Sequence, residues 1–179
     1  MTAWRVLVLP GLGGSGPVHW QTRWETLHGY ERVEQRDWDN PRRDVWLAQL
    51  KRTVAAGPTP VVLVAHSLGV ALAAHFVAVA VPGQIAAALL VAPADVEDAR
   101  CTPDETRSFA PLPGRRFGFP ATLVASQNDP YVRFERAAQL AATWGATLVD
   151  LGSAGHINAD SGLGDWAAGH DLLRELCRT

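Results

Sequence analysis

Ser67 stands in Ala65-His66-Ser67-Leu68-Gly69, between an apolar run that ends at Ala65 and another that begins at Leu68. A serine at such a junction, flanked by small residues, has the pattern of a nucleophile elbow. The sharp turn lifts the hydroxyl to the top of a sheet, and the small neighbours let strand and helix backbones approach each other. The pattern is usually written G-x-S-x-G; here Ala65 takes the place of the first glycine. A serine hydroxyl attacks a carbonyl only if a base removes its proton. An acid and then a histidine are therefore expected further along the chain, each at a strand end. Both occur. Ser126-Gln127-Asn128-Asp129-Pro130 places Asp129 in a tight turn, and Gly152-Ser153-Ala154-Gly155-His156 places His156 on a glycine-bearing loop.

Each residue also has a plain structural reading. Ser67 could cap a helix, Asp129 could be a turn residue before proline, and His156 could sit on a surface loop. Their joint arrival in the expected order favours a triad of Ser67 as nucleophile, Asp129 as acid and His156 as base. Asp95, after the fourth strand, is the rival acid, and Asp160 a weaker one. Among the other histidines, His66 adjoins the serine but points elsewhere along the turn. His75 lies on a buried helix, and His28 and His170 lie on exposed helical positions.

Acyl transfer also needs donors for the developing oxyanion. The backbone N–H of Leu68 is one, and the loop Pro10-Gly11-Leu12-Gly13-Gly14-Ser15-Gly16 supplies the other, with Leu12 preferred and Gly13 as fallback. The same loop matches G-x-G-x-x-G after a strand, with Asp37 about twenty residues on, as a dinucleotide-binding Rossmann-like protein would have. That alternative leaves Ser67, Asp129 and His156 unexplained. Trp20 and Trp38 follow the first two strands and are candidate walls of a substrate pocket, with His19 as a candidate polar group there. Asp37 is a weaker candidate. Trp24, Trp46 and Trp144 read as core residues.

Short apolar runs alternate with helical patterns along the chain. Strands are expected at Val6–Leu9, Arg32–Gln35, Val61–Ala65, Ile85–Val91, Ala121–Ala125 and Thr147–Leu151. Helices are expected at Val18–His28, from Asp39-Asn40-Pro41 to Gly57, and at Leu68–Val79, Phe134–Trp144 and Trp166–Arg178. This βα alternation predicts an α/β fold, a parallel sheet covered by helices on both faces. The irregular stretch from Pro93 to Pro120 follows the fourth strand and is placed to overhang the site.

The 179 residues suit one domain, 1–179, with no room for a separate lid, so the site is expected to be shallow and open. With 47% apolar and 19% charged residues the composition is that of a globular protein. A net charge of −2 argues against a nucleic-acid surface or a polybasic membrane contact. Lys51 is the single lysine and has no motif around it, which disfavours Schiff-base and Walker-type chemistry. Cys101 and Cys177 lack metal-knuckle spacing and read as free thiols. The longest apolar stretch, Val70 to Val81, is interrupted by His75 and too short to span a bilayer, and the N-terminus lacks a signal-peptide pattern. A cytoplasmic protein is expected.

With these residues in place, the chain resembles the small serine hydrolases that include retinoblastoma-binding protein nine and the YdeN-type hydrolases. The resemblance runs over nearly the whole length. It rests on Val8-Leu9-Pro10-Gly11, His19-Trp20, Trp24, Asp37-Trp38-Asp39-Asn40-Pro41, Val64 to Gly69, Asn128-Asp129-Pro130 and Gly155-His156-Ile157-Asn158. It implies a compact, capless α/β-hydrolase: a three-layer αβα sandwich whose six-stranded parallel sheet has the order 2-1-3-4-5-6. It also implies esterase-like activity with Ser67, Asp129 and His156 as the triad. The expected reaction is hydrolysis of a small-molecule ester, thioester or amide through an acyl-enzyme, needing no metal or cofactor. An acyltransferase and a low-activity protein-interaction module on the same fold are the alternatives, and a protein partner is left unknown.

Overall fold

The computed structural model describes residues 4–178. Its centre is a parallel sheet of six strands: β1 (Arg5–Leu9), β2 (Glu31–Arg32), β3 (Val61–Ser67), β4 (Ile85–Pro93), β5 (Ala121–Ala125) and β6 (Thr147–Asp150). Their order is β2-β1-β3-β4-β5-β6, as expected. The helices are α1 (Trp20–His28), α2 (Arg43–Ala55), α3 (Leu68–Val79), α4 (Phe134–Trp144) and α5 (Ala167–Leu176).

The two-residue period of the strands divides the core into two layers. Leu7 and Leu9, Val61, Leu63 and Ala65, Ala88 and Leu90, and Leu123 and Ala125 face one side, against Trp46 and Leu50 of α2, nearly all of α3, and Leu140 and Trp144 of α4. Val6, Val62, Val64, Leu89, Val91 and Val124 face the other, against Trp20 and Trp24 of α1, Trp166, and Leu173 of α5. β3 and β4 lie in the middle and are covered on both faces, which is why they read as unbroken apolar runs. The helix α3 is apolar around its circumference for a similar reason: it packs on β3, β4 and β1 and is flanked by α2 and a 3-10 turn.

Many element ends differ from the sequence expectation by one to four residues, and two of these differences bear on the loops around Ser67. α1 starts at Trp20 because His19 is its N-cap, with Nδ1 accepting from the Gln21 N–H at 3.1 Å. β2 is shorter and begins one residue earlier, although the Val33 N–H still donates to the Val8 carbonyl at 2.9 Å. Beyond it the chain leaves the sheet edge towards a turn capped by Asp37, whose carboxylate accepts from the Asn40 and Asp39 N–H groups at 2.9 and 3.0 Å. The stretch between β4 and β5 is also ordered in part, with a 3-10 helix at Asp104–Phe109.

α3 approaches β1 so closely that a Cβ on Gly69 would lie 2.1 Å from the Leu9 carbonyl oxygen. Backbone cannot yield as a flexible side chain can. Gly69→Ala is expected to destabilise the protein by about 3 kcal/mol through overpacking. Urea unfolding of the two proteins checks this.

Candidate active site

The turn between β3 and α3 holds Ser67 at φ 55° and ψ −122°, a left-handed backbone conformation rare for residues with a side chain. Ser67 occupies the N-cap position of α3, but its side chain makes no capping hydrogen bond. Its Oγ lies instead 2.8 Å from Nε2 of His156. On the far side of that ring, Nδ1 is 2.8 and 2.9 Å from the two oxygens of Asp129. The Asp129 side chain is fully buried and also accepts from the Tyr131 N–H at 2.9 Å. A carboxylate at Nδ1 holds the proton there and leaves the Nε2 lone pair free to accept from Ser67. The three residues come from three strand ends, and two loops bring Asp129 and His156 to the elbow.

The histidine loop is held by several polar ties. Asn128 Oδ1 accepts from the Gly155 N–H at 2.8 Å, and Ser126 Oγ from the Ala154 N–H at 2.9 Å. The His66 ring lies 2.9 Å through Nε2 from the His156 carbonyl oxygen, so that nitrogen carries the proton and donates. The Trp20 indole N–H donates to the Ile157 carbonyl at 2.8 Å.

This last contact revises the expected role of Trp20. It is 1% exposed, packed among Trp24 and Trp166, and does not line the cleft. Trp38 is also away from the cleft wall. Its ring packs against the Gly14 backbone and edge-on to Trp46, and its carbonyl accepts from the Gly13 N–H at 3.0 Å. Both tryptophans brace loops that surround the serine instead of facing a substrate. Trp20 opens α1 on the face that the helix turns to the core, and the ring of Trp38 is taken up between Gly14 and Trp46. His19, by contrast, does line the cleft, as do Leu12 and Leu68.

The loop after β1 lies directly against the elbow: a Cβ on Gly11 would be 2.8 Å from that of Ser67 and 3.0 Å from the Leu68 nitrogen. Leu68 is the first residue of α3, so its N–H has no acceptor within the helix. Gly13, the fallback donor, has its N–H engaged by Trp38. Arg32, which the sequence reading passed over, ties this loop down. Its guanidinium donates to the carbonyls of Gly14 and Ser15 and, at 2.6 Å, to the Thr22 hydroxyl. Asp37 is turned into its own loop cap, and of the glycines in the dinucleotide-like pattern it is Gly11 that serves the approach to Ser67.

The cleft over Ser67 has a volume of about 320 Å³. Ala94, Thr102, Pro103 and Thr106, all from the stretch after β4, contribute to its wall, as do His19 and the β1 loop. Asp95, the rival acid, is drawn away to Arg136, 3.6 Å distant, and its Oδ1 accepts from the Glu97 N–H. His75 donates to the Phe109 carbonyl at 2.7 Å and so anchors the same wall to α3. Among the described residues no cluster of side chains suited to a metal ion is found, and no helix is long and apolar enough to cross a membrane.

A parallel sheet of this order, with a serine elbow after its third strand, defines an α/β-hydrolase. A family model described as "Serine hydrolase" matches residues 6–175, and the chain belongs to that family. Among solved structures, a putative YdeN-like hydrolase from Pectobacterium atrosepticum is 35% identical, covers 97% of this chain and 90% of its own, and superposes with a TM-score of 0.86. The ydeN gene product of Bacillus subtilis is 20% identical, with 99% and 100% of the two chains covered and a TM-score of 0.79. Est1E from Butyrivibrio proteoclasticus shares the fold at 16% identity, covering 97% of this chain and 88% of its own, with a TM-score of 0.72. No significant match was found among curated protein sequences. The protein is thus a small serine hydrolase of the YdeN type.

Two buried imidazoles beside the site lend the fold a pH dependence. Burial lowers His19 from 6.5 to about 4, with the neighbouring His156 adding to the effect, and burial lowers His66 well below 6.5. A histidine whose folded value is depressed contributes stability above its unfolded value, and loses it as pH falls towards the folded one. For His19 the loss begins near pH 6.5 and amounts to about 2 kcal/mol by pH 5. His19→Asn preserves an N-cap acceptor without a group that titrates there. Urea midpoints measured from pH 7 to pH 5 should therefore fall less in this variant than in the wild type.

Proposed function

We propose that this hydrolase cleaves small carboxylic esters, or thioesters and amides of similar size, through an acyl-enzyme on Ser67. The observation that carries this reading is the unbroken line of contacts from Ser67 Oγ through the His156 ring to Asp129. As Oγ attacks the carbonyl carbon, its proton passes to His156 Nε2. Asp129 holds the ring's tautomer and offsets the positive charge that then develops. The backbone N–H groups of Leu12 and Leu68 face the oxyanion, and the loss of one such donor typically raises the barrier by about 3 kcal/mol. His156 returns its proton to the leaving group. Water then attacks the acyl carbon with the same histidine as base, and the acid is released. His19 supplies a polar group on the cleft wall.

The cleft volume supports a small substrate. At about 320 Å³ it lies near the lower end of the usual range for small-molecule sites. The reaction as drawn uses only groups of this chain and water.

Labelling with a fluorophosphonate and hydrolysis of p-nitrophenyl acetate and butyrate test the assignment together. Wild type should be labelled and turn over, whereas Ser67→Ala should lose the label and at least about 10⁴-fold in kcat. Equal labelling of the two proteins would overturn the role of Ser67. Retained turnover in His156→Ala would remove the histidine from it.

A further inference from the structure

The elbow touches residue 156 twice. Ser67 Oγ meets its side chain at 2.8 Å, and the adjacent His66 donates from Nε2 to its backbone carbonyl at 2.9 Å. These two bonds differ in what happens to them during the proposed reaction. Once Ser67 carries an acyl group, its oxygen is an ester oxygen with no proton to donate. The bond from Ser67 to Nε2 is then lost, while the bond from His66 persists.

The other supports of His156 belong to its own side of the molecule. Asp129, Asn128 and Ser126 all follow β5 and hold the base and its loop to that strand end. They fix His156 to Asp129 directly and make no bond to Ser67, the last residue of β3. The end of β4 joins the two sides at backbone level, with the Ala94 N–H donating to the Ser67 carbonyl and the Asp95 N–H to the Tyr131 carbonyl. The bond that reaches residue 156 itself from the elbow and survives acylation is the one from His66, with Trp20 of α1 bonding the next residue.

We propose that His66 is a positioning residue that holds His156 over the acylated serine for deacylation. The proposal rests on the acyl-enzyme reading above. In that step a water proton goes to His156 Nε2 as the water oxygen bonds to the acyl carbon. The tetrahedral species then breaks its bond to Oγ, and the proton returns from Nε2 to Oγ. The water has to sit between Nε2 and the carbon, so a small drift of the ring away from the elbow is costly here. In acylation Ser67 itself holds the ring by a hydrogen bond.

His66 is built for this task. It is 4% exposed, packed edge-on against His19 with ring centres 4.7 Å apart, and tilted against the His156 ring at 4.8 Å. Burial also keeps it uncharged, so the tie to residue 156 adds no positive charge next to a base that has to accept one.

His66→Phe removes the donor but keeps a ring, and His66→Gln keeps an N–H at a comparable reach. Stopped-flow release of p-nitrophenol separates acylation from deacylation, and mass spectrometry of quenched samples measures the acylated fraction. For His66→Phe we expect kcat to fall about tenfold or more. KM should fall with it, kcat/KM should stay close to wild type, and acylated protein should accumulate at steady state. His66→Gln should restore wild-type kcat. If Phe overpacks the site and the variant does not fold, His66→Leu gives the same comparison. A parallel fall of kcat and kcat/KM without accumulation would overturn the proposal, as would a Gln variant no better than Phe. Wild type that resists fluorophosphonate labelling at Ser67 would instead overturn the acyl-enzyme reading on which it rests.

Discussion

The backbone of Ser67 sits in a conformation that costs of the order of 1–3 kcal/mol for a residue with a side chain. It persists because its surroundings leave no alternative. Before it, β3 is fixed between β1 and β4 by parallel pairing, and after it α3 is sunk in the apolar layer beneath the sheet. Gly69 allows the helix to pass within backbone contact of Leu9 and Pro10, and the next residue, Gly11, brings the same segment up to the serine. Relaxing the turn would require withdrawing α3 from the core. The burial of an apolar helix thus holds the hydroxyl in place, and the fold and the candidate chemistry share one constraint.

Around that point the polar network falls into two groups. One group steadies the loop after β1: Arg32 bonds to the Gly14 and Ser15 carbonyls, and Trp38 receives the Gly13 N–H. The other steadies the histidine loop, through Ser126 and Asn128 from one side and Trp20 and His66 from the other. Neither group contacts the Ser67 hydroxyl. Their common effect is to fix backbone N–H and C=O groups of loops that have no regular secondary structure. An irregular loop would otherwise keep considerable freedom, and catalytic geometry tolerates little of it.

The strand order and the three candidate site residues were legible in the sequence because each depends on local pattern. Apolar runs bounded by Pro and Gly mark the strands, and Ser67, Asp129 and His156 each follow one. What failed depends on the direction of a side chain. Trp20 and Trp38 follow strands as pocket residues do, yet the indole of one runs under the histidine loop and that of the other lies on Gly14. Arg32 and His66 gave no usable signal, since their importance lies in carbonyls that are far away in sequence. Residues 66 and 156 are ninety positions apart. β2 was misread for a simpler reason: as an edge strand of two residues it has too few positions to show a period.

The wall contributed by the stretch after β4 bears on selectivity. It is irregular, but its backbone is not loosely held. Arg107 donates to the carbonyls of Val96 and Thr102 and to the Thr102 hydroxyl, and that hydroxyl in turn donates to the Asp95 carbonyl. Arg136 of α4 reaches Asp95 and Glu97, and His75 of α3 donates to Phe109. Thr102, Pro103 and Thr106 therefore stand at a distance from Ser67 that is set by bonds to two helices and to the end of β4. In the proposed reaction, a wall fixed in this way would set the room available to an acyl group before any substrate arrives. Enlarging the cleft would mean breaking these bonds. For the buried ones, Thr102 to the Asp95 carbonyl and His75 to the Phe109 carbonyl, a polar group left unsatisfied costs about 1–3 kcal/mol. That cost is comparable to the gain from burying a few extra methylene groups of a longer chain, at about 0.8 kcal/mol each. Under the proposed reaction, the bonds that give the stretch its structure would also limit the size of acyl group on this side of the site.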